Sequence, residues 1–160
     1  MRSLLFVLLA TLSLSTIVSC GDNSVEVING PNTETNDSLS YSKEVFDGIN
    51  DYRVKNSLEP LIWSDTIYSI AYVHSKNMAS GVVEFGHDGF DNRYKLVKEA
   101  TGANSIAENV AMTYKTKEAV IAGWTASEGH KKNIEGDYKQ SAVAVVFLNG
   151  RPFYTQIFAK

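Results

Sequence analysis

The stretch Ser141-Ala142-Val143-Ala144-Val145-Val146-Phe147-Leu148-Asn149-Gly150-Arg151-Pro152-Phe153-Tyr154-Thr155-Gln156-Ile157-Phe158-Ala159 decides the fold class. Ser141 to Leu148 is apolar on both faces, the pattern of a strand covered on each side rather than half exposed. Asn149-Gly150 is a strong short hairpin signal, because a type I′ turn needs two consecutive residues with positive φ. Pro152 to Ala159 then returns as the last strand. The chain therefore closes on an antiparallel pair with no helix between its strands.

Working upstream, the periodicity changes from 2 to 3.6. Val45, Phe46, Ile49 and Tyr52 repeat at helical spacing, in a helix that starts near Ser40 or Ser42 and runs to about Asn56. Pro60 forbids its continuation. A second helix opens with Ser64 or Asp65 as its cap and ends near Gly81, with Ile67, Ile70, Ala71, His74 and Met78 along one stripe. His74 thus faces the core as a hydrogen-bonded histidine. A third helix spans Asp91 to Thr101 and stops at Gly102. Ser105 to Tyr114 alternates as a strand, and Thr116 caps a fourth helix carrying Ala119, Val120 and Trp124. Helices and strands in separate blocks, with a terminal hairpin, give an α+β fold whose antiparallel sheet is covered on both sides.

Composition agrees with one globular domain. The 160 residues are 44% hydrophobic and 21% charged, which excludes a disordered or low-complexity chain. The formal charge of −3 argues against binding nucleic acid through its phosphates. A single cysteine rules out a disulfide framework. Residues 1–19 read as a signal peptide: Arg2, then the apolar run Leu4 to Ala10, then small residues up to Cys20. A cysteine directly after a small residue resembles the bacterial lipobox, in which the new N-terminal Cys is acylated. The expected partner of Cys20 is then a lipid bilayer, in the outer membrane or at the cell surface. Residues 20–40 read as a lipidated cysteine and flexible tether, since fourteen of the twenty from Gly21 to Ser40 are Gly, Pro, Asn, Asp, Ser or Thr. Such a coil would hold the domain, residues 41–160, roughly 25 Å from the membrane.

Four polar residues need a reason to be where they are: His87, Glu108, Glu128 and His130. His87 lies in the turn Glu84-Phe85-Gly86-His87-Asp88-Gly89. On period 2, Glu108 shares a strand face with Ile106, Val110 and Met112, and a carboxylate on an apolar face is costly unless paired, hydrogen-bonded or metal-bound. Two histidines and two carboxylates suit a divalent metal or acid–base work, and capping or surface roles would also account for each one singly. Trp63 and Trp124 read as core anchors, Ser127 as a cap, Asn109 as a local hydrogen-bonder, and Lys131 and Lys132 as a solvated face.

Seven short segments in order resemble the CAP superfamily, the cysteine-rich secretory, antigen 5 and pathogenesis-related proteins. They are Ile49-Asn50-Asp51-Tyr52-Arg53, Leu58-Glu59-Pro60-Leu61-Ile62-Trp63, Ala71-Tyr72-Val73-His74-Ser75, Phe85-Gly86-His87, Ala107-Glu108-Asn109-Val110-Ala111, Trp124 to Ile134, and Tyr154-Thr155-Gln156-Ile157-Phe158. The resemblance covers residues 41–160 and implies an α-β-α sandwich with a central, mostly antiparallel sheet. It implies a cavity of two His and two Glu, carried here by His87, Glu108, His130 and, as fourth member, Glu128. It further implies that His87 and His130, with Glu108 and Glu128, hold a divalent cation such as Zn²⁺. The function it implies is a binding or interaction module for a lipid, sterol, peptide or protein. A metal-dependent or acid–base hydrolase using the same cavity is the alternative. Against that alternative, no Gly-x-Ser-x-Gly elbow and no His-Glu-x-x-His is present.

Overall fold

A computed structural model describes residues 32–160; the expected signal peptide, Cys20 and the expected tether up to Pro31 lie outside the described residues. The elements run α1 (Asn32–Lys55), β1 (Ile62–Trp63), α2 (Asp65–Ala79), α3 (Phe90–Thr101), β2 (Ile106–Met112), α4 (Lys117–Ala126), α5 (Glu128–Ile134), β3 (Gln140–Leu148) and β4 (Arg151–Ala159). The sheet order is β1-β3-β4-β2, with β3 and β2 antiparallel to β4 and the short β1 parallel to β3.

The terminal hairpin forms as its residues require. Asn149 and Gly150 both have positive φ, 52° and 72°, and Leu148 pairs with Arg151 across the turn. The two-sided burial of β3 follows from its alternation. Val143 and Val145 face α1, α4 and α5 in one core cluster, where Val45, Ile49, Val120, Trp124 and Ile134 meet them. Ala142 and Ala144 face α2 and α3 in a second cluster, against Ile67, Ala71 and Val97. The small alanines let α2 approach the sheet closely, and the result is the three-layer sandwich of an α+β protein.

Three boundaries differ from the sequence reading. Helix α1 begins at Asn32, so residues 32–40 of the expected tether are helical. Once Val45, Phe46 and Ile49 anchor the helix, extending it adds one hydrogen bond per residue ordered. Ser42 is consequently no cap. It is fully buried, its hydroxyl donates to Ser38 O at 2.6 Å and it accepts the Val145 amide at 2.9 Å, fastening α1 to β3. The turn after Ser127 is a further helix, α5. Strand β2 stops at Met112 because Thr113 takes a left-handed φ of 72°. The caps Ser64 and Thr116, and the stop at Gly102 with φ 73°, are as the sequence predicts.

The polar side chains of the first segment are structural. Asn50 bonds both the amide and the carbonyl of Leu61, fixing the turn that Pro60 forces. Arg53 is 2% exposed; its guanidinium donates to the carbonyls of Glu59, Ile134 and Gly136 and so clamps α1 to the end of α5. No helix among the described residues is long and apolar enough to cross a membrane.

Candidate functional site

The site forms at the β2 edge of the sheet. Glu108 and Asn109 are consecutive on β2, so their side chains point to opposite faces. Glu108 projects toward α3 and the loop carrying His87, and Asn109 toward α5.

Glu108 is the best-buried carboxylate of the domain, its side chain 1% exposed. Oε1 contacts His87 Nδ1 at 2.9 Å. The guanidinium of Arg93 grips both oxygens, with Nε donating to Oε2 at 2.6 Å and Nη2 to Oε1 at 2.7 Å. Arg93 also donates to the Asp88 carbonyl at 2.7 Å and to that of His87 at 3.4 Å, so it orders the loop that delivers His87. This bidentate, charge-assisted geometry is what allows a carboxylate on an apolar strand face.

On the other side, Asn133 of α5 donates to the Asn109 side chain at 2.9 Å and to the Glu108 carbonyl at 3.2 Å. Asn109 itself donates to the His130 carbonyl at 3.2 Å. These bonds lock α5 against the strand and set the backbone of His130. The His130 ring contacts Ser127 Oγ through Nδ1 at 2.9 Å. Ser127 occupies the N-cap position of α5, yet its hydroxyl bonds this ring rather than capping the helix. Burial holds the His130 imidazole below the usual histidine range, and the nearby His87 lowers it further. His74 is buried as expected, its Nε2 2.9 Å from the Gly86 carbonyl, and burial likewise depresses its basicity. Of the three histidines, His87 bonds Glu108 directly, His74 holds the carbonyl of Gly86, the residue before His87 in the chain, and the His130 ring bonds Ser127 on α5.

The structure thus joins His87 to Glu108 and leaves the His130 ring on Ser127, and it does not bring in Glu128. That side chain is exposed in the first turn of α5, where a carboxylate suits the helix N-terminus, and among the described residues it makes no hydrogen bond or ion pair with the other three. Nor do the donors fit a metal held by all four residues. Both oxygens of Glu108 already accept from Arg93 and His87, and the guanidinium puts a positive charge where the cation would sit. Among the described residues no group of three or more His, Cys, Asp or Glu could hold a metal ion. Arg93 and Asn133 went unnoticed in the sequence. The signal for Arg93 was present, since it stands four residues before Val97 on the buried stripe of α3.

Three recesses surround these residues. One of about 330 Å³ is lined by His87, Glu108 and Asn133. A second of about 360 Å³ runs past His130 and Ser127 under Phe85 and Tyr114. A third, also about 360 Å³, lies between α2 and α3, with Ile70, Val73 and Leu96 on its walls and His74 and Arg93 also lining it. The two tryptophans are packing anchors. Trp124 is 2% exposed and donates to the Val110 carbonyl, and Trp63 packs edge-on against Phe46. Lys131 and Lys132 are exposed, as a solvated face requires.

Comparison with known proteins agrees with this architecture. The family model described as CAP, the cysteine-rich secretory protein family, matches residues 46–158. The membrane protein YlbC of Bacillus subtilis is 32% identical over 124 residues, which are 74% of this chain and 34% of YlbC. An extracellular protein containing an SCP domain from Bacillus anthracis superposes with a TM-score of 0.69 at 26% identity, over 81% of this chain and 43% of that one. An outer surface protein of Borrelia burgdorferi shares the fold, with a TM-score of 0.65 at 18% identity over 77% of this chain and 94% of that one. The chain spans about a third to a half of the curated relatives it matches. With a sandwich of the expected layers and a family match across the whole of its sheet, the chain belongs to the CAP, or cysteine-rich secretory protein, family.

Proposed function

We propose that this protein is an exported lipoprotein, anchored through acylated Cys20, whose CAP domain acts as a binding module at the cell surface. The carrying observation is the state of Glu108. Its carboxylate is gripped by Arg93 and His87 on a strand edge and serves to hold the loops around a recess. A general base needs a carboxylate or imidazole free to take a proton from substrate, and a hydrolase needs an activated nucleophile or polarised water. Two relatives, a membrane protein of Bacillus subtilis and an extracellular protein of Bacillus anthracis, support export.

The ligand we propose is apolar, an acyl chain, sterol or apolar peptide side chain seated between α2 and α3. That groove falls within the size of small-ligand sites, and exposed Val73 and Leu96 form its walls. Two experiments test this. Cys20→Ser should move the protein from the membrane fraction to the soluble one; a variant that still partitions into detergent sinks the anchor. Fluorescent fatty acid and sterol probes should bind the purified protein and lose at least tenfold in affinity in Val73→Glu. A peptide, ester and glycan panel, with and without Zn²⁺, covers the alternative: turnover lost in His87→Ala and kept in Lys132→Ala would establish the hydrolase instead.

A further inference from the structure

We infer that a recess at the open edge of β3 is the docking site of the chain's own segment Val25-Glu26-Val27-Ile28, which lies outside the described residues and folds back along α1 to reach it.

The edge is incomplete beyond its first two residues. β1 pairs only with Gln140 and Ser141, and further along β3 the Val145 amide turns away from β4 to the Ser42 hydroxyl. Backbone directions alternate along a strand, so Phe147, two residues on, sends its N–H and C=O to the same side. Among the described residues no strand pairs with that side of β3 past Ser141. A sheet edge of this kind is a template for one more extended segment. A recess of about 640 Å³ lies there, with Tyr41 of α1, Tyr72 of α2, Val146 and Phe147 on its walls. The Phe147 ring tilts against Tyr41 at 5.6 Å between centroids and is still 44% exposed, so apolar surface remains to be covered.

The occupant follows from where the chain enters. The residues before Asn32 lead into the N-terminus of α1, and Asp37, Ser38 and Tyr41 of that helix line the recess. At 1.5 Å per helical residue, the recess lies roughly 8 to 14 Å down the helix from Asn32. Asn29-Gly30-Pro31 is a run of turn formers, suited to reversing the chain at the top of α1. Four extended residues, Ile28 back to Val25, then span roughly 13 Å, enough to come level with Tyr41.

Composition selects the same four residues. Fourteen of the twenty from Gly21 to Ser40 are Gly, Pro, Asn, Asp, Ser or Thr, and Val25, Glu26, Val27 and Ile28 form the one unbroken run among the rest. Three of them are apolar and β-branched, the type that suits a half-buried strand. The docking does not depend on the acyl anchor, but one consequence does. With Cys20 acylated, as proposed above, only Gly21 to Ser24 would separate the lipid from the docked segment, a spacing of roughly 10–12 Å in place of roughly 25 Å.

Hydrogen exchange of the purified full chain, followed by mass spectrometry, tests the docking. Amides of residues 25–28 should exchange at least tenfold more slowly in wild type than in Val27→Asp, a change outside the described domain that leaves its core intact. Cross-linking locates the segment. In a Cys20→Ser background, which removes the chain's single cysteine, a short bismaleimide should join Val27→Cys to Phe147→Cys and not to Val54→Cys at the other end of α1. Three results would each overturn the inference: wild-type exchange as fast as that of Val27→Asp, cross-linking to Val54→Cys as readily as to Phe147→Cys, or protection lost on tenfold dilution, which assigns the edge to a second copy of the chain. An anchor that fails in the Cys20→Ser fractionation leaves these outcomes unchanged, so the two readings fail separately.

Discussion

Strands β3 and β2 flank the same neighbour, β4, and both are buried, but by opposite means. β3 presents Ala142 to Val145 to helices on its two faces and packs on mainly apolar side chains, with Ser42 and Ser75 each adding one hydrogen bond to its backbone. β2 carries Glu108 and Asn109 in its middle, 6% and 0% exposed, and each is held by named hydrogen-bonding partners from α3, α5 and the loop at His87. Apolar burial is non-directional and tolerates repacking, so the side chains of β3 supply stability without by themselves defining one arrangement of its neighbours. Polar burial is directional, and an unmade bond is expensive, so β2 fixes where three surrounding segments must sit. Two of the three recesses around the site are lined by β2 residues, where polar contacts hold the neighbouring loops and helix in place.

The contrast can be broken most severely at Arg93. Arg93→Met leaves Glu108 buried and unpaired and should cost about 3–5 kcal/mol in urea unfolding. Combining it with Glu108→Leu, which puts an aliphatic side chain opposite Ile157, should recover most of that loss, because replacing both members of a buried pair by apolar groups is often neutral. A double variant as unstable as the single one would show that the bonds to the loop, not the charge pair, carry the effect.

On the apolar side, Ile157→Ala in β4 should cost about 2–5 kcal/mol through lost contact and a residual cavity, with no partner mutation that rescues it by charge. Smaller again is the turn. Gly150→Ala, at φ 72°, should cost about 1 kcal/mol and leave ligand binding untouched, since the hairpin tip is remote from β2's partners. A loss above about 3 kcal/mol would mean the turn also directs packing.

The last effect separates the two regions by pH. His74 and His130 are both depressed, chiefly by burial, while the unfolded chain titrates near the ordinary value of about 6.5. Below that pH the unfolded state binds more protons than the native one, so their contribution to stability is present above about pH 6.5 and is lost as pH falls through the folded values. Thermal melts from pH 8 to pH 5 should show this decline, reduced in His74→Gln. A decline of equal size in that variant would assign it to other groups.

Of all this, the sequence by itself determined the elements whose causes are local. The Asn149-Gly150 turn, the caps at Ser64 and Thr116, the Gly102 stop and the alternation of β3 each follow from a few neighbouring residues. It also marked Glu108 as needing a partner, because period 2 put it on an apolar face, and the ordered motifs carried the family. What only the tertiary structure decided was which partner it found. Arg93, fifteen residues earlier on α3, takes the carboxylate, Asn133 bridges β2 to α5, and Glu128 stays in solvent. Strand β1 joined β3 in parallel for the same kind of reason. Each depends on surfaces contributed by segments distant in the chain, and periodicity within one segment reports which face is buried but not what it is buried against.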